Sequence, residues 1–141
     1  MNEKNAFVVW QGAGKNGKGQ VSTESQALKD TPYNFATRVD DESGGTNPEE
    51  LLAAAHAGCF TMAFAFASEQ AGFSVQQAHT QAKVRLNKNS DGLLIDRIVL
   101  KLEAKVPGLT DAQFQQLATQ AIVGRQALAL FLQHVAQHTV G

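Results

Sequence analysis

Seventeen consecutive residues, 51–67 (LLAAAHAGCFTMAFAFA), carry only two clearly polar side chains, His56 and Thr61. Such a run escapes water either by crossing a bilayer or by filling a core. Its length stands at the floor of the spanning range of roughly 17–25 residues. It is rich in alanine rather than leucine and isoleucine, is bracketed by Glu49-Glu50 and Glu69, and has a histidine and a cysteine near its centre. It reads as a buried core helix and not as a membrane span, because a helix that is apolar nearly all round belongs in a core.

The start of this helix is sharply marked. Asn47-Pro48-Glu49-Glu50 supplies a cap, a proline for the first turn and carboxylates at the positive end of the helix dipole. The helix is expected to run to about Ala71 and stop at Gly72. Strand patterns lie on both sides of it. Phe7-Val8-Val9-Trp10 reads as a short strand, followed by a Gly- and Lys-rich turn over residues 12–19 and a partner strand over residues 20–24. Pro32 marks a turn, residues 33–39 read as strand, and residues 40–47 as loop.

Downstream, Ala78, Thr80, Ala82, Val84 and Leu86 alternate with polar residues, as do Ile98, Leu100, Leu102, Ala104 and Val106, with Val99 the exception. Period two means one buried face and one wet face. Asn89-Ser90-Asp91-Gly92 joins the two strands as a hairpin. Thr110 with Gln113 forms a capping box for a second helix that carries Phe114, Leu117, Ala118 and Ile122 on one side and ends at Gly124. In the tail, residues 126–141, Leu128, Phe131, Leu132 and Val135 are compatible with a helix. Strands gathered around one apolar helix make an α+β fold, antiparallel sheets around a long buried central helix, in a single domain over residues 1–141.

Twelve Lys+Arg against thirteen Asp+Glu give a formal charge of −1, which argues against a dedicated nucleic-acid binder. A hydrophobic content of 43% with 18% charged residues excludes a disordered chain. Residues 1–6 show no apolar signal-peptide core, so a cytoplasmic location is expected. The single cysteine, Cys59, rules out an internal disulfide, a CxxC motif and an all-cysteine zinc site.

Two apparent motifs fail on context. Gly12-Ala13-Gly14-Lys15-Asn16-Gly17-Lys18-Gly19 has the spacing of a phosphate-binding loop through Lys18. Gly19 stands where the magnesium-binding hydroxyl belongs, and a strand follows instead of a helix N-terminus. It is a turn between strands. His134 and His138 have zinc-protease spacing, but Val135 replaces the catalytic glutamate, and an exposed polar face of the tail accounts for them. His79, on the wet side of a strand, needs no role.

Cys59 is the informative residue. A cysteine in an apolar helix is commonly a small hydrophobe. Against that, Gly58 lets something approach the backbone beside it, and His56 sits one turn earlier on the same face. Composition does not decide between the two.

Two blocks do carry a resemblance. Pro32-Tyr33-Asn34-Phe35-Ala36-Thr37-Arg38, and the stretch of residues 45–60 (GTNPEELLAAAHAGCF), resemble the OsmC/Ohr family of thiol-dependent hydroperoxide reductases, the OsmC branch more closely. Val21-Ser22-Thr23-Glu24-Ser25 and Val106-Pro107-Gly108 also fit, so the resemblance covers roughly residues 6–120. It implies an intertwined homodimer with active sites at the interface, and neither cofactor nor metal. It also implies Cys59 as peroxidatic nucleophile, Arg38 as its cationic partner and Glu49 as the carboxylate that positions the arginine. The substrate implied is an organic hydroperoxide, with hydrogen peroxide poorer, and the reductant a thiol or lipoyl-type dithiol. One departure stands out. The family's resolving cysteine, in a Cys-Pro segment after the second helix, is replaced by Arg125, and the tail lacks the family's closing alternating strand.

The chemistry this implies is quantifiable. A thiol with a pKa of about 8.5 is only ~3% thiolate at neutral pH. Lowering the pKa by about three units gains roughly thirtyfold in thiolate, but a Brønsted slope of ~0.45 takes back about twentyfold in nucleophilicity. Arg38 is therefore expected to act mainly on the substrate, aligning the peroxide and stabilising the departing alkoxide. Glu49 and Cys59 are ten residues apart, about 15 Å along one helix. One guanidinium does not pair tightly with both, so Arg38 and Glu49 are expected to reach Cys59 from the partner chain. With no second sulfur, an external thiol must resolve the sulfenic acid. Phe60, Met62, Phe64 and Phe66 are candidate walls for an apolar pocket, or plain core. Competing readings are a peroxide sensor, a binder of small apolar ligands, and a structural dimer with an inert thiol.

Overall fold

The structure, a computed structural model, describes residues 3–40, 44–123 and, as backbone, 134–140. The chain forms two compact units, Met1–Leu51 and Leu52–Gly141.

The first unit is built on a three-stranded antiparallel sheet, β1 (Ala6–Gln11), β2 (Lys18–Thr23) and β3 (Thr31–Tyr33), in that order. The glycine- and lysine-rich stretch is the turn between β1 and β2, closed by the Gly17 N–H on the Ala13 carbonyl at 2.6 Å. No helix follows it, so the phosphate-loop spacing has no phosphate site to serve. Pro32 lies within β3 and not in a turn; β3 is an outer strand, where a missing N–H costs little. Trp10 and Tyr33 meet with ring centroids 5.6 Å apart. A Cβ at Gly19 would run into both rings, so only glycine fits beneath them.

Residues 35–39 depart from the expected strand and form a short helix, α1 (Phe35–Val39). Its start is fixed by a reciprocal capping box. The Asn34 side chain accepts from the Thr37 N–H at 2.8 Å, and the Thr37 hydroxyl accepts from the Asn34 N–H at 2.9 Å.

Helix α2 (Pro48–Gln70) begins and ends where the sequence marks it, with Gly72 in the left-handed region at φ +91°. Strands β4 (Gln77–Asn89) and β5 (Gly92–Lys105) form the expected hairpin around Ser90-Asp91. The hairpin is longer than its clean alternation because a bulge at Asp96 resets the register between Arg85 and Leu86. Helix α3 (Asp111–Val123) starts at the Thr110–Gln113 box, whose bonds measure 3.0–3.2 Å. Gly124 lies outside the described residues.

The tail corrects an expectation. Residues 134–140 form a strand, β6 (His134–Val140), parallel to β5, so a closing strand is present and the second sheet runs β4-β5-β6. His134 and His138 stand four residues apart on a strand and not on the helix that zinc-protease spacing requires. The expected exposure of their side chains, and Arg125, lie outside the described residues.

The core of the second unit packs Phe60 and Phe64 of α2 against Leu100, Leu102 and Ala104 of β5 and Phe114, Leu117, Ala118 and Ala121 of α3. Phe64 and Phe114 meet edge-on at 5.4 Å. The polar residues of α2 here are accommodated. The Ser68 hydroxyl donates to the Phe64 carbonyl, and Thr61 bonds the Ala57 carbonyl and, at 2.6 Å, the Thr80 hydroxyl of β4. Although α2 is long and apolar enough to span a bilayer, it serves as a core helix.

The fold is therefore α+β as expected, with one parallel pair added. The coverage of α2 is one-sided. His56, Phe60, Phe64 and Ser68 make a buried stripe at every fourth position, while Ala54, Gly58, Met62 and Phe66 make an exposed one. Met62 and Phe66 are 60% and 56% exposed.

Candidate active site

Arg38 and Glu49 meet within the first unit. Arg38 occupies the last turn of α1 and Glu49 the first turn of α2. The Arg38 Nε donates to Glu49 Oε1 at 2.8 Å. The Glu49 side chain is 9% exposed and the Arg38 side chain 37%. The pair is one-pronged. Among the described residues, neither Nη of Arg38 has a hydrogen bond, and Glu49 Oε2 is buried without a partner. A guanidinium anchored through Nε alone keeps its outer fork for a second acceptor.

The surrounding loop holds this pair tightly. The Thr46 N–H donates to the Pro32 carbonyl at 2.9 Å, and a Cβ at Gly45 would collide with that same carbonyl. The Thr46 hydroxyl donates to Glu50 Oε2 at 3.0 Å. Asn47 accepts from the Glu50 N–H at 2.7 Å and donates to the Thr37 carbonyl at 3.1 Å. The contribution of Asn34, Thr37 and Thr46 was not read from the sequence. An Asn-x-x-Thr box is a less familiar helix start than Ser/Thr-x-x-Glu, yet it was visible in Asn34-Phe35-Ala36-Thr37.

Cys59 lies on α2 within the second unit. It is half-buried, at the border between the covered and open stripes, with buried His56 one turn before it and exposed Met62 one turn after. A Cβ at Gly58 would meet nothing within 4 Å, so the backbone beside the thiol is open. Of the candidate pocket walls, Phe60 and Phe64 are core and Met62 and Phe66 face outward. Cys59 follows Glu49 by ten residues in α2 and belongs to the second unit, whereas Glu49 belongs to the first. His79 is exposed on β4, as expected. Among the described residues no group of three or more His, Cys, Asp or Glu gathers to hold a metal.

Residues 40–129 match the profile of the family described as OsmC-like protein. The chain belongs to the OsmC-like family. Peroxiredoxin OsmC of Escherichia coli (strain K12) is 46% identical over 121 residues, covering 86% of this chain and 84% of the relative. That similarity sets the chain on the OsmC side of the family, as the Tyr33–Arg38 and 45–60 blocks imply. Among solved structures, an organic hydroperoxide resistance protein from Elizabethkingia anophelis superposes with a TM-score of 0.75 at 21% identity, covering 100% of this chain and 96% of the other. The organic hydroperoxide resistance protein OhrB of Bacillus subtilis gives 0.71 at 21% identity, with 97% and 98% covered. At that identity the two structures show a shared OsmC-like fold.

Proposed function

We propose that this OsmC-like protein is a thiol-dependent peroxidase that reduces organic hydroperoxides to alcohols, with Cys59 as nucleophile, Arg38 as the group that meets the peroxide and Glu49 as its anchor. The observation that carries the reading is the one-pronged ion pair: an arginine held through Nε at 2.8 Å, with its outer fork unspent among the described residues. Two parallel N–H donors suit the adjacent oxygens of a peroxide and the charge that develops on one of them.

The Cys59 thiolate attacks the outer oxygen of the hydroperoxide. The S–O bond forms as the O–O bond breaks, two electrons pass from sulfur to oxygen, and the alkoxide leaves against the guanidinium before taking up a proton. Cys59 is left as sulfenic acid. With Arg125 at the place of the resolving cysteine, an external thiol condenses with the sulfenic acid, releasing water and leaving a mixed disulfide. A second thiol, or the other arm of a lipoyl-type dithiol, cleaves this and returns the thiolate. Hydrogen peroxide, lacking an apolar arm, is the poorer substrate.

The working unit is an intertwined homodimer, in which the Arg38–Glu49 pair of one protomer serves Cys59 of its partner. The open stripe Ala54, Gly58, Met62, Phe66 and the exposed apolar strand Phe7-Val8-Val9-Trp10 support this, since monomers seldom leave so much apolar surface wet. The two compact units then act as one OsmC-like domain, working in the cytoplasm.

The test is peroxide consumption with excess dithiol, wild type against Cys59→Ser. Turnover by the wild type alone supports the peroxidase. A single oxidation of Cys59 without recycling supports a second reading, a peroxide sensor, which the absence of a second cysteine favours. No reaction at Cys59 overturns both.

A further inference from the structure

Arg38 sits in a five-residue helix, and a helix that short does not hold its own geometry. Its C-terminal cap ties the Asp40 N–H to the Ala36 carbonyl at 2.8 Å, which leaves the Thr37 carbonyl to a donor from outside the helix. The Asn34–Thr37 box secures the first turn, but Arg38 lies beyond it. The Thr37 carbonyl is met by Asn47. Its Nδ2 donates to the Thr37 carbonyl at 3.1 Å, the peptide that leads into Arg38. Its Oδ1 accepts from the Glu50 N–H at 2.7 Å, capping α2. One side-chain amide thus joins the backbone before Arg38 to the first turn of the helix that carries Glu49. Capping alone does not call for an amide, because serine and aspartate cap about as well. Serine is too short to bridge both groups, and aspartate has no donor for the carbonyl.

We propose that Asn47 is a positioning residue for hydroperoxide reduction: its amide locks the peptide preceding Arg38 onto the start of α2, and so fixes where the unspent fork of the guanidinium points. The inference rests on the peroxidase reading above, in which that fork meets the substrate. Asn47 touches neither peroxide nor sulfur and acts through Arg38.

Asn47→Ser separates the two duties of this side chain, keeping the cap and removing the bridge. The expected result is a Tm lower by no more than about 4 °C, with kcat/KM for cumene hydroperoxide at 25 °C lower by about fivefold, the worth of one ordinary hydrogen bond. Asn47→Asp, which sets a carboxylate against the Thr37 carbonyl, loses more. Alkylation of Cys59 by iodoacetamide, which needs no oriented arginine, keeps its wild-type rate in Asn47→Ser. In an Arg38→Lys background, Asn47→Ser costs nothing further, because the group it positions is gone. Wild-type kcat/KM in Asn47→Ser overturns the proposal, as does an equal loss with and without Arg38, or a loss confined to temperatures at which the variant is partly unfolded. A wild-type protein that does not turn over peroxide overturns the peroxidase reading and this inference with it. An active wild type with an indifferent Asn47→Ser overturns the inference alone.

Discussion

Phe66→Glu is expected to dissolve the proposed dimer and the activity together. Phe66 lies on the open stripe of α2 and is 56% exposed. A phenylalanine buries on the order of 200 Å² when fully covered, so roughly 110 Å² of this ring is available to a partner. At about 25 cal/mol per Å² that area is worth ~2.8 kcal/mol, and twofold symmetry counts it twice, giving ~5.5 kcal/mol per dimer. Association also has to overcome lost rotational freedom and side-chain ordering, so area converts only partly into affinity. The dissociation constant is therefore expected to rise by about 10² to 10⁴. The assay is sedimentation velocity over a dilution series, with peroxide turnover per chain measured at the same concentrations. Gln81→Glu, on the exposed face of β4, adds the same charge at a site away from the stripe and should leave both curves in place. In Phe66→Glu, turnover should follow the dimer fraction and return at high concentration. An unchanged dissociation constant would refute the assignment of this stripe to the interface. Full turnover by a monomer would refute the argument that the arginine comes from the neighbouring chain.

Other outcomes follow from the same structure. Arg38→Lys should lower kcat/KM for organic hydroperoxides by roughly 10² to 10³, since a point charge does not replace two parallel donors, while iodoacetamide alkylation of Cys59 changes far less. Thr110→Ala removes the capping box of α3 and should cost about 1 kcal/mol, read as a Tm lower by about 2–4 °C with activity retained at 25 °C. Asp96 accepts from Arg85 at 2.8 Å and from Asn87 at 2.9 Å, and these bonds, that from Arg85 foremost, hold its carboxyl below the usual range. A lowered folded-state pKa contributes stability above the unfolded value of about 3.9, and that contribution is lost as pH falls through the folded value. A carboxyl-carbon NMR titration should therefore place the Asp96 midpoint below the ordinary value, and Arg85→Gln should raise it.

The elements that sequence resolved are those in which local chemistry and packing agree. Asn47-Pro48-Glu49-Glu50 starts α2 because cap, ring and charge all favour it, and period two in residues 77–86 marks β4 because the same chain supplies the cover for its inner face. The misreadings have definite causes. Tyr33 to Val39 mixes aromatic and β-branched residues, which favours a strand, but the Asn34–Thr37 box turns residues 35–39 into helix. In β5, the extra residue at Asp96 shifts every side chain before it to the opposite phase, so the alternation seen from Ile98 onward cannot be followed backward. The tail has no period that distinguishes helix from strand, and its pairing with β5 is a long-range event. For the site, the motif blocks named Arg38, Glu49 and Cys59, and the structure joins the first two. The one-pronged geometry of their bond was not legible, because it depends on where a short helix points its last side chain. Nor did composition reveal that α2 is covered along one stripe only: apolar residues on every side look alike whether the cover comes from the same chain or another.

Strand β1 is an outer strand of its sheet, and all six of its residues are exposed. An extended apolar segment with one backbone edge unpaired is a template for any other extended chain. In the proposed dimer, a freshly synthesised copy that has not met its twin is open to pairing along this strand with the wrong neighbour.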